Sequence, residues 1–592
     1  MGCENNLLSL SMPTVNRDQP DAARGATAIE RSKKVVIVFP PLTMPTSPPL
    51  GAAMLKGFVE REMPEWRVKV LDLNLWTFDH LFAQLATGKL RLNSHAFPEG
   101  IAAAAGLLDA AEAFQGKNDD EFYNEPDLYN KYGELFLRFT EVYTQELAAH
   151  CAAYEKGAPL SPLFEEHLKL ILAEKPDVVG ISMIFSEQLP IGAMLGKILR
   201  LKYGLKVVFG GSCFTDTAEH FLRWYPDSAD VIIAGEGEQA LQVLLTNFAA
   251  PELVPGAVFF RDGKIHKVAK AFSKDIDFYG VPDFGDVEPK RYYSPEPVVP
   301  LLLSRGCYWR RCTFCVHYRS AGLTYRMHSM DFTIDMLKSF VANGIRNFAF
   351  IDEMISPKHF TRLVEGIKEA NLDIAYYALT KPSPDFTPAI FKTMAESGCK
   401  YLLWGLESAN QRILNLMDKG SKIEEVSQTL KNAHAAGIAN HVFLICGFPT
   451  ETEEEFAQSI KFLEDHKDYI YAIHRGTFGL EVQSPIYEHQ ERFGITRSWL
   501  MKDSPSGGRW GYECSSGMSM QRVKDVFISA LPFLRVFNPY AQYVANFRDH
   551  ALLIYQKSQL RPESRLFPQM RYAKQPDTPW QTVTLDSNSV MC

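Results

Sequence analysis

Short apolar runs, each ending in glycine, serine or an acid, recur along the first 270 residues. They are KVVIVFPPL from Lys34, WRVKVLDLN from Trp66, PDVVGISMI from Pro176, KVVFGGSCF from Lys206 and ADVIIAGEGEQAL from Ala229. Helical segments separate them, beginning with 49–62. Buried strands alternating with helices predict a parallel sheet in an open α/β domain, with ligands beyond the carboxyl ends of the strands. Residues 76–170 interrupt the alternation with long helix-forming stretches, IAAAAGLLDAAEAF and LYNKYGELFLRFTEVYTQELAAHCAAYE. These predict a helical insertion that covers a sheet edge or the ligand face. GAVFFRDGKIHKV (256–268) predicts a hairpin turning at Asp262-Gly263. Residues 269–297, rich in Pro, Asp and Tyr, read as a linker.

A second series of strand and helix patterns follows. Strands are expected at 298–304, 345–352, 373–379, 400–406, 440–446 and 469–480. Six βα units suggest a partial (β/α)6 barrel, whose site lies at the strands' C-terminal ends. The resulting division is a loose polar tail over 1–33, an α/β domain over 34–268 and a linker over 269–297. The barrel follows over 298–490, then a mostly helical C-terminal region over 491–592 with one helix at 519–537.

Composition narrows the class without naming a chemistry. The chain has 592 residues, 46% hydrophobic and 22% charged, with a net charge of -8. That balance gives no reason to expect nucleic acid or an anionic membrane as a partner. No apolar run is long enough to span a bilayer, and the N-terminus lacks a basic region followed by an apolar core. Met-Gly-Cys opens the chain, but Asn6 breaks the myristoylation pattern. Unpaired thiols without a secretion signal point to the cytoplasm.

The chemistry concentrates in LLLSRGCYWRRCTFCVHYRS, residues 301–320, which puts Cys307, Cys312 and Cys315 directly after an apolar strand. Clustered thiolates on a loop select zinc or an iron–sulfur cluster. Three ligands leave one metal position open for chemistry. A zinc site completed by His317 is the alternative; a disulfide fits poorly with an unsecreted chain.

This stretch resembles the cluster loop of the radical S-adenosylmethionine (SAM) enzymes. In that family three cysteines hold a [4Fe-4S] cluster and SAM chelates the fourth iron. Phe314 matches the family's aromatic residue before the last cysteine. The spacing departs from the family's pattern by one extra residue between Cys307 and Cys312. Further along, Asp352-Glu353 resembles the segment that holds the methionyl amine of SAM. Glu407-Ser408 in WGLES resembles the family's Gly-x-Glu-Ser, and Gly447 and Pro449 in GFPTET resemble its adenine-side turn. Thr450 stands where that turn usually has a second glycine. Taken as residues alone, Ser408 and Thr452 read as helix caps and Asp352-Glu353 as a strand end. Thr380-Lys381 and Arg475 lie at or in strands whose side chains reach either the barrel interior or solvent.

The first domain resembles the cobalamin-binding domain fused to many radical SAM enzymes. The resemblance rests on Gly210-Gly211 and on Glu236-Gly237, where small residues allow a corrin or its tail to approach the backbone. Pro40-Pro41, Ser182 and Phe185 end neighbouring strands of the same crevice. The Asp-x-His-x-x-Gly motif is absent and His80 lies too far along, so no histidine ligand is expected from the usual position, which leaves the lower face of cobalt open or occupied by something else. The resemblance covers residues 34 to about 490. It implies a [4Fe-4S] cluster, SAM and cobalamin, a small-molecule or peptide substrate, and an electron donor such as flavodoxin or ferredoxin. The implied reaction is methylation of an unactivated carbon. Cyclisation or rearrangement is the second reading, and a non-catalytic metal- or cobalamin-binding protein is the reading of another class.

Overall fold

The structure, a computed structural model, describes residues 33–117, 119–319, 321–322, 324–534 and 540–560. The tail expected over 1–33 therefore lies outside the described residues, except for Lys33. Two parallel sheets dominate. The first holds β1 (Lys33–Phe39), β2 (Trp66–Asp72), β3 (Val178–Ser182), β4 (Lys206–Gly210), β5 (Val231–Ile233), β6 (Ala257–Arg261) and β7 (Lys264–Lys267), in the order β2-β1-β3-β4-β5-β6-β7. The β1–β5 pairings are parallel, whereas β6 and β7 form the antiparallel hairpin at Asp262-Gly263. The strand order reverses between β1 and β3, which opens the crevice beyond Phe39 and Ser182.

The second sheet follows β8 (Val298–Leu301). Next come β9 (Ser304–Arg305) and β10 (Arg326–Met327), which pair with each other and form the neck of the cysteine loop. The sheet continues with β11 (Asn347–Phe350), β12 (Ala375–Thr380), β13 (Cys399–Glu407), β14 (Ala439–Cys446) and β15 (Ala472–Thr477). Its order is β15-β14-β13-β12-β11-β8, six strands that are all parallel. Local signals start the outer helices. Ser356-Pro357 and Thr387-Pro388 place a capping hydroxyl before a proline whose missing N–H costs nothing there. Thr452 and Glu455 cap each other's amides as a capping box. These helices bury the outward residues of the sheet, including Phe348, Tyr376, Leu402 and Trp404. Each such side chain contributes about 1.5–3 kcal/mol through burial. The Trp404 indole N–H donates to Asn440 Oδ1 at 2.7 Å, so its one polar atom is satisfied.

The inner face is filled from the far end of the chain. Ala349, Tyr377, Tyr401 and Leu403 share one apolar cluster with Leu552 and Leu553 of helix Arg548–Leu560. The segment from 491 onward is thus part of the barrel's core. It carries the helix Met520–Leu534, close to the expected 519–537, and also a hairpin, β16 (Ile495–Lys502) with β17 (Arg509–Cys514), that the sequence pattern did not announce.

Between β2 and β3 the chain is helical; the longest helix there is Pro126–Glu155, which packs on Ile101–Phe114 and Leu189–Leu201. It also meets the C-terminal helix, where Tyr129 Oη lies 3.1 Å from His550 Nδ1. No described residue of 76–170 lines the cavity described below; the described part of the insertion packs elsewhere. The stretch 269–297 is packed rather than loose. Tyr292 and Tyr293 are buried and donate to Asp72 at 2.6 Å and Asp79 at 3.0 Å.

Candidate active site between the two sheets

One cavity of about 1730 Å³ runs between the carboxyl ends of both sheets. Ligand pockets for a single small molecule occupy roughly 300–1,000 Å³, so this one has room for more than one. From the first sheet it is lined by Ser182, Phe185, Gly210, Gly211, Glu236 and Gly237. From the second it is lined by Ser304, Arg305, Gly306, His317 and Glu353. Phe478, Trp510 and Arg548 complete it from the C-terminal half. Of the residues singled out in the crevice, Pro40 and Pro41 are the exceptions: both are buried just after β1 and neither reaches the cavity.

The glycines of the first wall do different things. Gly211 has φ +110, and a Cβ there would lie 2.0 Å from the Met183 carbonyl oxygen, so only glycine fits. At Gly210 a Cβ would meet nothing nearer than 3.9 Å, which leaves bare backbone facing the cavity. That open strip suits a large flat ligand lying against the strand ends, and cobalamin fits it. His80 stacks on Trp76 and bonds Gln84, away from the cavity.

Glu236 has a second task. Its carboxylate accepts from Arg326 at 2.6 and 3.1 Å and from Tyr279 Oη at 2.7 Å, and it pairs with Arg305 at 3.2 Å. Burial raises its pKa, but the Arg326 and Arg305 guanidiniums outweigh that and hold the carboxyl below its usual range. Arg305 also donates to Glu238 through both terminal nitrogens. The sequence signal for this network was the acidic pair flanking Gly237, but its basic partners were not foreseen.

The three cysteines sit on the loop between β9 and β10, and none is disulfide-bonded. Cys312 is buried and Cys307 and Cys315 half-buried. Burial pushes the Cys315 thiol up to about 12, and burial likewise raises Cys312. Lys419 acts in the opposite direction on both, and Lys381 on Cys312. Three cysteine sulfur donors with the Lys381 and Lys419 ammoniums nearby are a fitting environment for an anionic iron–sulfur centre. Among the described residues no group of three or more His, Cys, Asp or Glu is arranged to hold a single metal ion. The extra residue between Cys307 and Cys312 is accommodated in the turn: Arg310 has φ +52, and the Trp309 indole donates to the Asp418 carbonyl at 2.7 Å.

Lys419 answers to Glu407. Their ammonium and carboxylate lie 2.8 Å apart with side chains only 3% and 11% exposed. Glu407 has φ +66 at the end of β13, where the register with β14 shifts, and this bulge aims its carboxylate at Lys419. Phe314 packs against the apolar cluster that holds Phe448 and Phe478, so the cysteine loop and the GFPTET turn share one wall. Lys381 lies 4.1 Å over the Trp309 ring and donates to the Gly420 carbonyl, while Thr380 Oγ1 donates to the Ile355 carbonyl. Arg475 donates to the Ile473 carbonyl.

Two resemblance-based expectations change role. Asp352 faces away from the cavity. It accepts from the Leu303 amide at 3.1 Å and from Ser304, and burial pushes its carboxyl up to about 6. It braces the β8–β9 corner, and its neighbour Glu353 is the one on the cavity wall. Ser408 is fully buried, with its hydroxyl accepting from the Asn410 amide and paired to Ser459 Oγ at 3.3 Å; it is not the helix cap, which is Asn410, whose side chain accepts from the Ile413 amide. Gly447 and Pro449 lie behind the wall. The Gly447 amide donates to Glu451 Oε2 at 2.6 Å, and its carbonyl accepts from Tyr512.

Burial pushes the Glu451 carboxyl up to about 8, against about 4.5 when unfolded. Between those values the folded state holds one more proton than the unfolded state, so this group lowers stability as pH rises through that window. Glu451→Gln is expected to be relatively more stable at pH 8 than at pH 5, with a difference slope approaching about 1.4 kcal/mol per pH unit. Urea titrations of both proteins across this range measure it; parallel pH profiles would contradict a buried, proton-holding Glu451.

Comparison with known proteins agrees with this layout. Residues 301–463 match the Radical SAM superfamily and residues 149–245 match the B12 binding domain. An uncharacterized methyltransferase from Pyrococcus horikoshii is 28% identical over 50% of this chain and 66% of its own length. Bacteriochlorophyllide d C-12(1)-methyltransferase from Chlorobaculum tepidum is 28% identical over 35% of this chain and 46% of its own. The chain thus spans about half to two thirds of these relatives. Among solved structures, the cobalamin-dependent SAM radical enzyme OxsB shares the fold with a TM-score of 0.57. It is 15% identical, and the match covers 90% of this chain and 74% of that one. The radical SAM methyltransferase TsrM from Kitasatospora setae gives a TM-score of 0.53 at 17% identity, over 80% and 82% of the two chains. The match to the B12 binding domain thus lies on the first sheet and the match to the Radical SAM superfamily on the second, the two sheets that wall one cavity.

Proposed function

We propose that the protein is a methyltransferase that places a methyl group on an unactivated carbon of a small-molecule or peptide substrate. The observation that carries this reading is the single cavity walled by Gly210-Gly211 on one side and by Ser304 to Gly306 and Glu353 on the other. It brings the open Gly210-Gly211 strip and the neck of a cysteine loop to one shared cavity. When bound, the cluster and SAM supply a 5′-deoxyadenosyl radical, and methylcobalamin supplies the methyl group.

The chain's own residues hold and orient. Cys307, Cys312 and Cys315 hold the cluster, with Phe314 packed behind them. Glu353 receives the methionyl ammonium, for which a carboxylate is the complementary group. Glu407 fixes Lys419 against the cysteine loop, and the Gly447–Pro449 turn backs the adenine side of the site from behind the wall. Ser182, Phe185, Gly210, Gly211 and Gly237 form the floor under the corrin. The division at 34–268, 269–297, 298–490 and 491–592 belongs to the same proposal, as does an electron donor of the flavodoxin or ferredoxin class.

Anaerobic reconstitution with iron, sulfide and hydroxocobalamin tests the reading. About four irons and one cobalt per chain are expected. SAM turnover is then expected to yield both 5′-deoxyadenosine and S-adenosylhomocysteine. Four irons without cobalt would remove the methylcobalamin route; neither SAM product would leave a binding protein. Cyclisation is the second reading, supported by the 24% identity over 46% of this chain to an anaerobic magnesium-protoporphyrin IX monomethyl ester cyclase from Synechocystis. In that case 5′-deoxyadenosine forms without S-adenosylhomocysteine.

A further inference from the structure

The neck of the cysteine loop carries an internal conflict. In the β9–β10 ladder Arg305 stands directly opposite Arg326. Side chains directly opposite on an antiparallel pair share one face, and like charges there are destabilising. A two-residue ladder has little else to hold it. Both guanidiniums are nearly buried, with side chains 10% and 6% exposed, so water does not relieve the repulsion.

The relief comes from the other sheet. Glu236 and Glu238 flank Gly237 at the start of helix Gly237–Thr246, and their side chains are 6% and 5% exposed. Glu236 takes Arg326 in a two-pronged bond and also pairs with Arg305, and Glu238 takes Arg305. Tyr279 closes the group: its hydroxyl donates to Glu236 and its ring lies 4.3 Å from the Arg305 guanidinium. Arg326 is further tied to the carbonyls of Ser273 at 2.7 Å and Ala321 at 2.8 Å. Two cations and two anions balance. If the Gly235–Glu238 turn shifts, the arginines lose their counter-ions and the neck loses its reason to stay closed.

We propose that Arg326 and Arg305, through Glu236 and Glu238, couple the two cofactor sites. Ordering the cysteine loop around its cluster fixes the glycine turn that borders the corrin, and a bound corrin fixes the neck of the loop. Arg326 is a positioning residue for cobalamin although it stands on the opposite sheet and is not on the cavity wall. The coupling is reciprocal, since each occupant biases one shared arrangement. This inference rests on the assignment of cluster and cobalamin to the two walls made above.

The test is anaerobic titration of hydroxocobalamin into the full chain, with and without the reconstituted cluster, read by equilibrium dialysis and cobalt analysis. The wild type is expected to bind at least about tenfold more tightly when the cluster is loaded, a coupling within the usual range. In Arg326→Lys, which keeps the charge but loses the two-pronged bond, the difference is expected to shrink below about threefold. Glu238→Gln, which weakens the Arg305 bond without adding bulk, is expected to do the same and serves if Arg326→Lys does not fold. Equal affinity in the two wild-type states would overturn the coupling alone, as would full coupling in the folded variants. Absence of any cobalamin binding by the wild type would overturn the cofactor assignment and the coupling with it.

Discussion

Cys312→Ala is expected to remove the iron–sulfur absorbance of the reconstituted protein and to drop iron from about four to under one per chain. Cys312 is the most buried of the three loop cysteines and the one whose thiol interacts with both Lys381 and Lys419. Alanine leaves the loop's other anchors in place: the Thr313 amide still donates to the Met417 carbonyl, and Trp309 still bonds Asp418. Secondary structure by circular dichroism should be unchanged. Cobalamin should still bind at saturating concentration, because its wall belongs to the other sheet, but with the weaker affinity of a cluster-free chain. An intact four-iron cluster in the variant would overturn the ligand assignment. Complete loss of cobalamin at saturation would mean that the two walls are not separate sites.

The second large effect concerns Lys419. Removing one partner of a buried ion pair strands the other charge without solvent, at a cost of about 3–5 kcal/mol. Lys419→Met should lower the unfolding free energy by that amount, since it leaves the Glu407 carboxylate 11% exposed and unpaired. Glu407→Gln in the same background should restore most of the loss. Urea unfolding of cluster-free protein separates this effect from any on the metal centre. A change below about 1 kcal/mol for the single variant is what an exposed pair gives, and would show that water reaches this one.

The alternation of apolar runs and helices reported the two parallel sheets because a strand buried on both faces is legible without knowing its neighbours. The cysteine loop was legible for a similar reason: its chemistry lies within nine consecutive residues. Contacts across long separations were not legible. Arg305 meets Glu238 over 67 positions and Arg326 meets Glu236 over 90, and nothing local marks either arginine. Asp352 and Glu353 show the limit at the finest scale. Both lie just beyond β11, which ends at Phe350, so no strand periodicity says which of them reaches the cavity; the bonds of Asp352 to Leu303 and Ser304 decide it. The insertion was recognised as helical, but its location was not, because an amphipathic helix states that it is covered and not by what.

The helix Arg548–Leu560 has a consequence for how the protein is made. Asp549 accepts from Thr46 Oγ1 at 2.7 Å across 503 positions and from Tyr377 Oη at 3.1 Å, and His550 bonds the Tyr293 carbonyl. A ribosome delivers this helix long after the strands whose inner face it fills. Until then Tyr377, Tyr401 and Leu403 have no cover, and the six-stranded sheet waits as an exposed apolar surface. Such intermediates aggregate unless shielded. Nascent chains halted before residue 540 should therefore recruit chaperones, and release from them should follow emergence of this one helix.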